Sequence, residues 1–241
     1  MATSQSDEDR TEAFKKFLRD PATHGVSASE IAEPIETHGA IVVLAGDFAF
    51  KIKKPVKFPY MDLSTLELRR KICRREIEVN RRTAPEIYLR VGGIVETDGT
   101  LSLIPNIDAD PEAEPVVVMR RFDLSRTLDR VVENETLGPA LCDALVDEIT
   151  KLQRAAKVHR GRLGSDRILG ILKMNAKGLR EGAKAVLDEA SVDRLTQAAK
   201  REGDRAVPAL DRRGRTGHIR RCHGDLHLGN LVRAASCSDF V

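Results

Sequence analysis

The chain has 241 residues, 41% of them hydrophobic and 32% charged, which is enough for two cores and too apolar for a disordered chain. Forty Lys and Arg against 37 Asp and Glu leave a net charge of only +3, and aromatic residues are few, with 7 Phe, 2 Tyr and no Trp. That scarcity argues against a stacking surface for nucleic acid. No run reaches the ~18 apolar residues of a membrane span, and the polar start MATSQSDEDR has no signal-peptide core. The four cysteines (Cys73, Cys142, Cys222, Cys237) form no CxxC pair and read as reduced thiols. These features predict a soluble cytoplasmic protein with no membrane or nucleic-acid partner.

Residues 1 to about 8 read as disordered. Thr11 to Arg19 has helical spacing, and a short helix is expected over Ser27–Ala32. Ala40–Ala45 and Phe48–Lys53, split by Gly46-Asp47, predict a β-hairpin whose second strand alternates apolar and basic residues. Pro55 to Asp62 reads as a loop. Ser64-Thr-Leu-Glu67 has capping-box spacing and opens a helix reaching about Thr83. Its apolar half comprises Leu66, Leu68, Ile72, Cys73, Ile77 and Val79, with Glu76 near the middle. Glu78 falls among the arginines of the opposite face. An unpaired buried carboxylate is costly, so Glu76 calls for a partner. Arg69, Arg70, Lys71, Arg74, Arg75, Arg81 and Arg82 crowd this segment and read as a solvated helix face.

Strands are expected over Tyr88–Glu96, Leu101–Ile104 and Pro115–Met119, giving five strand candidates with one interposed helix between residues 40 and 119. Beyond a connector near Arg120–Ser125 the pattern turns helical: Gly138–Ala156, Asp166–Gly182 and Val192–Glu202. Near the C-terminus stands His223-Gly-Asp-Leu-His-Leu-Gly-Asn230. The pattern H-G-D-x-H-x-x-N arises by chance about once in 10,000 chains of this length. Asp225 and Asn230 have the spacing of a kinase catalytic loop, in which a carboxylate orients the attacking hydroxyl and an amide oxygen holds magnesium.

This loop resembles that of the aminoglycoside phosphotransferase family. The stretches Asp47-Phe-Ala-Phe-Lys-Ile-Lys-Lys-Pro-Val56, Leu63-Ser-Thr-Leu-Glu67, Asn80-Arg-Arg-Thr-Ala-Pro-Glu-Ile-Tyr-Leu89 and Met119-Arg-Arg-Phe-Asp123 resemble a bacterial subgroup often fused to a C-terminal P-loop ATPase domain. The resemblance runs from about Ile35 to Val232. It implies an α+β, protein-kinase-like two-lobe fold: an N-terminal extension with short helices over 1–34, an antiparallel-sheet nucleotide-binding N-lobe with one helix over 35–122, and a helical, incomplete C-lobe over 123–241. Lys51 would hold the α- and β-phosphates of ATP, with Lys53 a weaker alternative. Glu76 would pair with that lysine, and Met119–Phe122 would clamp adenine. Asp225 would be the catalytic base and Asn230 a Mg2+ ligand. His38-Gly39-Ala40 offers one glycine where the family has a glycine-rich phosphate cover.

Only 11 residues follow Asn230, so the chain reads as truncated after the catalytic loop. Asp239 stands where a second metal ligand is sought. A shortened C-lobe predicts self-association through exposed apolar helix faces. The implied activity is ATP- and Mg2+-dependent phosphate transfer to a small-molecule hydroxyl. Two other readings stand beside it. One is a catalytically inactive kinase-like binding module; the other is a metal-dependent hydrolase using His223, Asp225 and His227. His223 and His227 read as supports of the loop backbone, and Cys222 as a core residue.

Overall fold

The computed structural model describes residues 5–134, 136–183 and 186–233. Asp239 and Cys237 lie outside the described residues. The protein is α+β. Its elements are α1 (Gln5–Arg19), α2 (Pro21–His24), β1 (Ile35–Glu36), β2 (Ala40–Ala45), β3 (Phe48–Lys53), β4 (Lys57–Phe58), β5 (Met61–Asp62), α3 (Leu66–Asn80), β6 (Tyr88–Thr97), β7 (Thr100–Ile104), β8 (Glu114–Arg120), α4 (Leu128–Asn134), α5 (Pro139–Ala155), α6 (Leu163–Gly182) and α7 (Glu189–Arg215). Two compact units divide the chain, one within Met1–Cys142 and Leu226–Val241, the other within Asp143–Asp225. No helix of the described residues is long and apolar enough to cross a membrane.

The first unit is built on a six-stranded antiparallel sheet in the order β1-β2-β3-β8-β6-β7. Period-two alternation along β3 sends Phe50 and Ile52 to one face and Lys51 and Lys53 to the other. On the first face α1 buries Phe14 and Leu18 against Ile41, Val43, Phe50 and Ile52. These two residues, one turn apart, anchor the helix, which begins at Gln5 where disorder was expected to about residue 8. On the second face α3 sets Cys73 and Ile77 against Val117, Tyr88, Val91 and Met119. A strand covered on both faces needs no polar alternation, which is why β8 reads Pro-Val-Val-Val. The expected loop at 55–62 contains the small β4–β5 hairpin.

Helix α3 departs from its expected start. Thr65, not Ser64, is the N-cap and accepts from Leu68 N at 3.2 Å. Ser64 is held in the preceding turn, where its N and Oγ donate to Asp62 Oδ1 at 3.1 and 2.6 Å. The inner face also differs: Ile72 is 38% exposed, whereas Arg69 is buried. Arg69 grips Glu114 at both carboxylate oxygens, with Nη2 to Oε2 at 2.7 Å. Its Nη1 donates to Leu63 O at 3.1 Å.

Of these seven basic residues Arg69 is buried and Arg70 half-buried, while Lys71, Arg74, Arg75, Arg81 and Arg82 lie exposed as expected, several of them with partners of their own. Arg70 donates to the carbonyls of Ile107, Asp110 and Ala113 at 2.8 to 3.0 Å. Arg74 pairs with Asp108, and Arg81 reaches the carbonyls of Tyr88 and Leu89. Arg75 pairs with Glu78 on the exposed side.

In the second unit α6 and α7 pack as a helical hairpin. Helix α7 runs well past Glu202, the end read from sequence, because Gly203 is a packing glycine and not a terminator. A Cβ there would lie 2.5 Å from Leu172 Cδ1 of α6. Pro208, which cannot donate a backbone hydrogen bond, sits inside the helix on its exposed side.

Two predictions follow from this packing. Leu18→Ala should lower unfolding free energy by about 2–5 kcal/mol in urea titrations, while Ile72→Ala at its exposed position should change it by less than about 0.5 kcal/mol; equal costs would contradict the described faces. Glu114→Gln leaves a buried guanidinium short of its carboxylate and should cost about 3–5 kcal/mol, whereas Arg69→Met combined with Glu114→Met should recover much of that loss.

Candidate functional site

The centre of the candidate site is a carboxylate held between a strand and a helix. Lys51 Nζ lies 2.7 Å from Glu76 Oε1, and Lys53 Nζ lies 2.6 Å from Glu76 Oε2. The strand's alternation puts both lysines on the face that α3 covers. Glu76 follows Arg69 and Cys73 along one helix stripe at spacings of seven and three, so it too faces the sheet. The structure thus brings Lys51 and Glu76 together, and it makes Lys53 an equal partner of the same carboxylate.

Burial opposes charge on every group here, and pairing overrides it. Burial pulls the Lys51 ammonium down, but the Glu76 carboxylate holds it above its ordinary 10.5. Burial likewise pushes the Glu76 carboxyl up, while Lys51 and Lys53 keep it below its ordinary 4.5. Tyr88 borders the cluster, its phenol raised first by burial and then by the Glu76 charge. Burial pushes the Cys73 thiol up to about 12, which leaves it a protonated, inert core group.

The segment proposed to clamp adenine is partly committed elsewhere. Arg120 N donates to Ile87 O and Arg121 N to Asp47 O, both at 2.8 Å.

The segment His223–Asn230 passes from the second unit into the first after Asp225, and each of its ends adjoins a short antiparallel pairing within its own unit. Before it, Val158 bridges Arg220, His159 N donates to Ile219 O at 2.8 Å and Arg221 N to Lys157 O at 3.1 Å. After it, Thr127 bridges Val232, Leu128 N donates to Leu231 O at 2.9 Å and Arg233 N to Arg126 O at 2.9 Å. Each histidine braces its own turn: His223 Nδ1 accepts from Asp225 N at 3.3 Å, and His227 Nδ1 from Gly229 N at 3.2 Å. The short helical turn Leu228–Asn230 packs on α4, where a Cβ on Gly229 would stand 3.4 Å from Asp129 Oδ2. Asp225 and Asn230 are both exposed. Cys222 is exposed as well, not a core residue.

Among the described residues no three His, Cys, Asp or Glu side chains are grouped to hold a metal ion. The hydrolase reading therefore lacks the converging ligands it needs from His223, Asp225 and His227. Sequence reasoning missed the Arg69–Glu114 pair and the full partnership of Lys53. The signal for the first was an arginine seven residues before Glu76, on the same stripe of the helix. For the second it was the Lys-x-Lys alternation itself.

No protein-family model matches the chain. Its curated relatives include uncharacterized proteins of Mycobacterium bovis and Mycobacterium tuberculosis, each 37% identical over 138 residues. The matched stretch covers 57% of this chain and 25% of each relative. The chain is therefore similar to part of longer mycobacterial proteins whose names state no activity, and it spans about a quarter of the length of the curated relatives it matches.

Proposed function

We propose that this chain belongs to a protein-kinase-like, aminoglycoside phosphotransferase-like phosphotransferase that moves the γ-phosphate of ATP to a small-molecule hydroxyl in the cytoplasm. The observation that carries this reading is the part-buried Lys51–Glu76 pair, which joins the second strand of a hairpin to the one helix covering that sheet face. A cation fixed in this way, with little freedom to collapse onto other anions, suits the α- and β-phosphates of a nucleotide. The braced H-G-D-x-H-x-x-N loop supports the same reading. In it Asp225 would accept the proton of the attacking hydroxyl.

The metal this reading calls for is Mg2+, and Asn230 is the one described residue assigned to it. The Asn230 amide oxygen is a hard ligand of the kind magnesium takes beside phosphate oxygens. When bound there, the metal would screen the charge on the transferred phosphate. Asp239, the other residue considered as a ligand, lies outside the described residues.

Titration with a fluorescent ATP analogue tests the pair. Lys51→Met and Glu76→Gln should each weaken binding, and by similar factors, while Glu78→Gln at its exposed position should change little. Equal effects of Glu76→Gln and Glu78→Gln would overturn the assignment. Asp225→Asn should cut turnover by about 10²–10⁴-fold and leave ATP affinity unchanged. Nucleotide binding without turnover in the unaltered chain would instead favour the inactive binding module.

The pH dependence has a defined sign. Glu76 is held below its ordinary 4.5, so its contribution to stability is present above that pH and is lost as pH falls through the folded value. Lys51 is held above its ordinary 10.5, so its contribution is full below that pH and is lost as pH rises through the folded value. Thermal melts should show the Glu76→Gln penalty throughout the interval from 4.5 to 10.5 and shrinking in acid.

A further inference from the structure

Lys53 is the more enclosed of the two lysines, its side chain 11% exposed against 25% for Lys51, and it lies as close to Glu76. Among the described residues Glu76 is the one carboxylate in ion-pair range of either lysine. Two ammoniums therefore share one carboxylate, and the cluster carries one positive charge in excess. The small cavity beside Lys53 is also lined by two arginines, Arg10 and Arg69, and two carboxylates, Asp7 and Glu114, so these add no net charge to that excess. Uncompensated charge at an enclosed site is costly until an anion arrives to match it.

The strand register shows which part of a ligand Lys53 could meet. Lys53 pairs with Ala40, and Lys54 N donates to Gly39 O at 3.0 Å, so Lys53 stands beside the turn Thr37–Gly39. This turn occupies the position of the phosphate cover. Its amides, however, are engaged internally: Gly39 N and Ala40 N donate to Thr37 Oγ1 at 3.4 and 3.1 Å. Met61 of the β4–β5 hairpin closes over it, and a Cβ on Gly39 would lie 2.6 Å from Met61 Cε. Such a turn cannot offer the row of backbone N–H groups that makes an anion nest. The backbone positions of Lys51 and Lys53 lie about 6.6 Å apart along the strand, so the two flexible side chains that share Glu76 have separate origins from which to reach different phosphates of one chain.

We propose that Lys53 is a second polyphosphate-binding residue, which replaces the glycine-rich backbone cradle and makes affinity rise with the number of phosphates on the ligand. This rests on the nucleotide reading above. Lys51 remains in place to neutralise Glu76 when Lys53 is removed, so Lys53→Met leaves no buried carboxylate without a partner.

Calorimetric titrations of adenosine, AMP, ATP and inorganic tripolyphosphate against the unaltered chain, Lys53→Met and Lys53→Arg provide the test. Lys53→Met should bind ATP and tripolyphosphate about ten- to a hundredfold more weakly, the loss of one charge-assisted contact. Its affinity for adenosine and AMP should be unchanged, and Lys53→Arg should stay near the unaltered chain. ATP affinity unaffected by Lys53→Met, or an equal loss for AMP and ATP, overturns the proposal. Lys53-dependent binding of tripolyphosphate without any binding of ATP sustains the anion site and sinks the nucleotide reading. Binding of neither by the unaltered chain overturns both.

Discussion

A carboxylate that is seven-eighths covered has to be matched by cations, and much of the first unit is arranged around meeting that demand for Glu76. The alternation of β3 aims two lysines at it. The opposite residues of that strand, Phe50 and Ile52, are sealed by α1, so the same six residues serve a core on one face and an ion cluster on the other. Flipping the strand by one residue would put both lysines into the apolar layer and both apolar residues against Glu76. The register of the sheet and the chemistry of the cluster therefore fix each other.

The polar loop near the C-terminus obeys a different constraint. It carries no buried side chain, and its one described packing contact is the turn Leu228–Asn230 against α4. Backbone pairing on either side and a histidine bond two residues ahead of each ring add to it. Exposed side chains on a braced backbone are what a loop needs if its carboxylate and amide are to meet a ligand from solution.

Strand alternation and helix spacing are short-range signals, which is why β2, β3 and Glu76 on its apolar stripe were legible from sequence. Arg69 was not, because a long cationic side chain reads as a surface residue until a carboxylate 45 positions away is placed against it. The same blindness made half-buried Arg70 look solvated when it serves backbone carbonyls. Ile72 failed in the opposite sense: its hydrophobicity assigned it to the core, yet the stripe that faces the sheet runs through Arg69, Cys73, Glu76 and Ile77. The helical run was read only to Glu202, and the neighbouring helix alone reveals that the missing side chain of Gly203 makes room for Leu172. Asp225 and Asn230 stood out by their spacing and by the resemblance alone, since an exposed loop leaves no packing trace.

The arginine fastenings of α3 bear on how the cluster can be controlled. An ion pair joining a strand to a separate helix invites switching, because sliding or tilting the helix would part the charges. Here Arg69 ties α3 to Glu114 at the start of β8, Arg70 to three carbonyls of the segment before it, and Arg81 to the opening of β6. Any outward swing of the helix would have to break all three attachments at once, one of them a buried bidentate pair. The lysine–glutamate cluster therefore keeps its geometry for as long as these attachments hold α3 against the sheet.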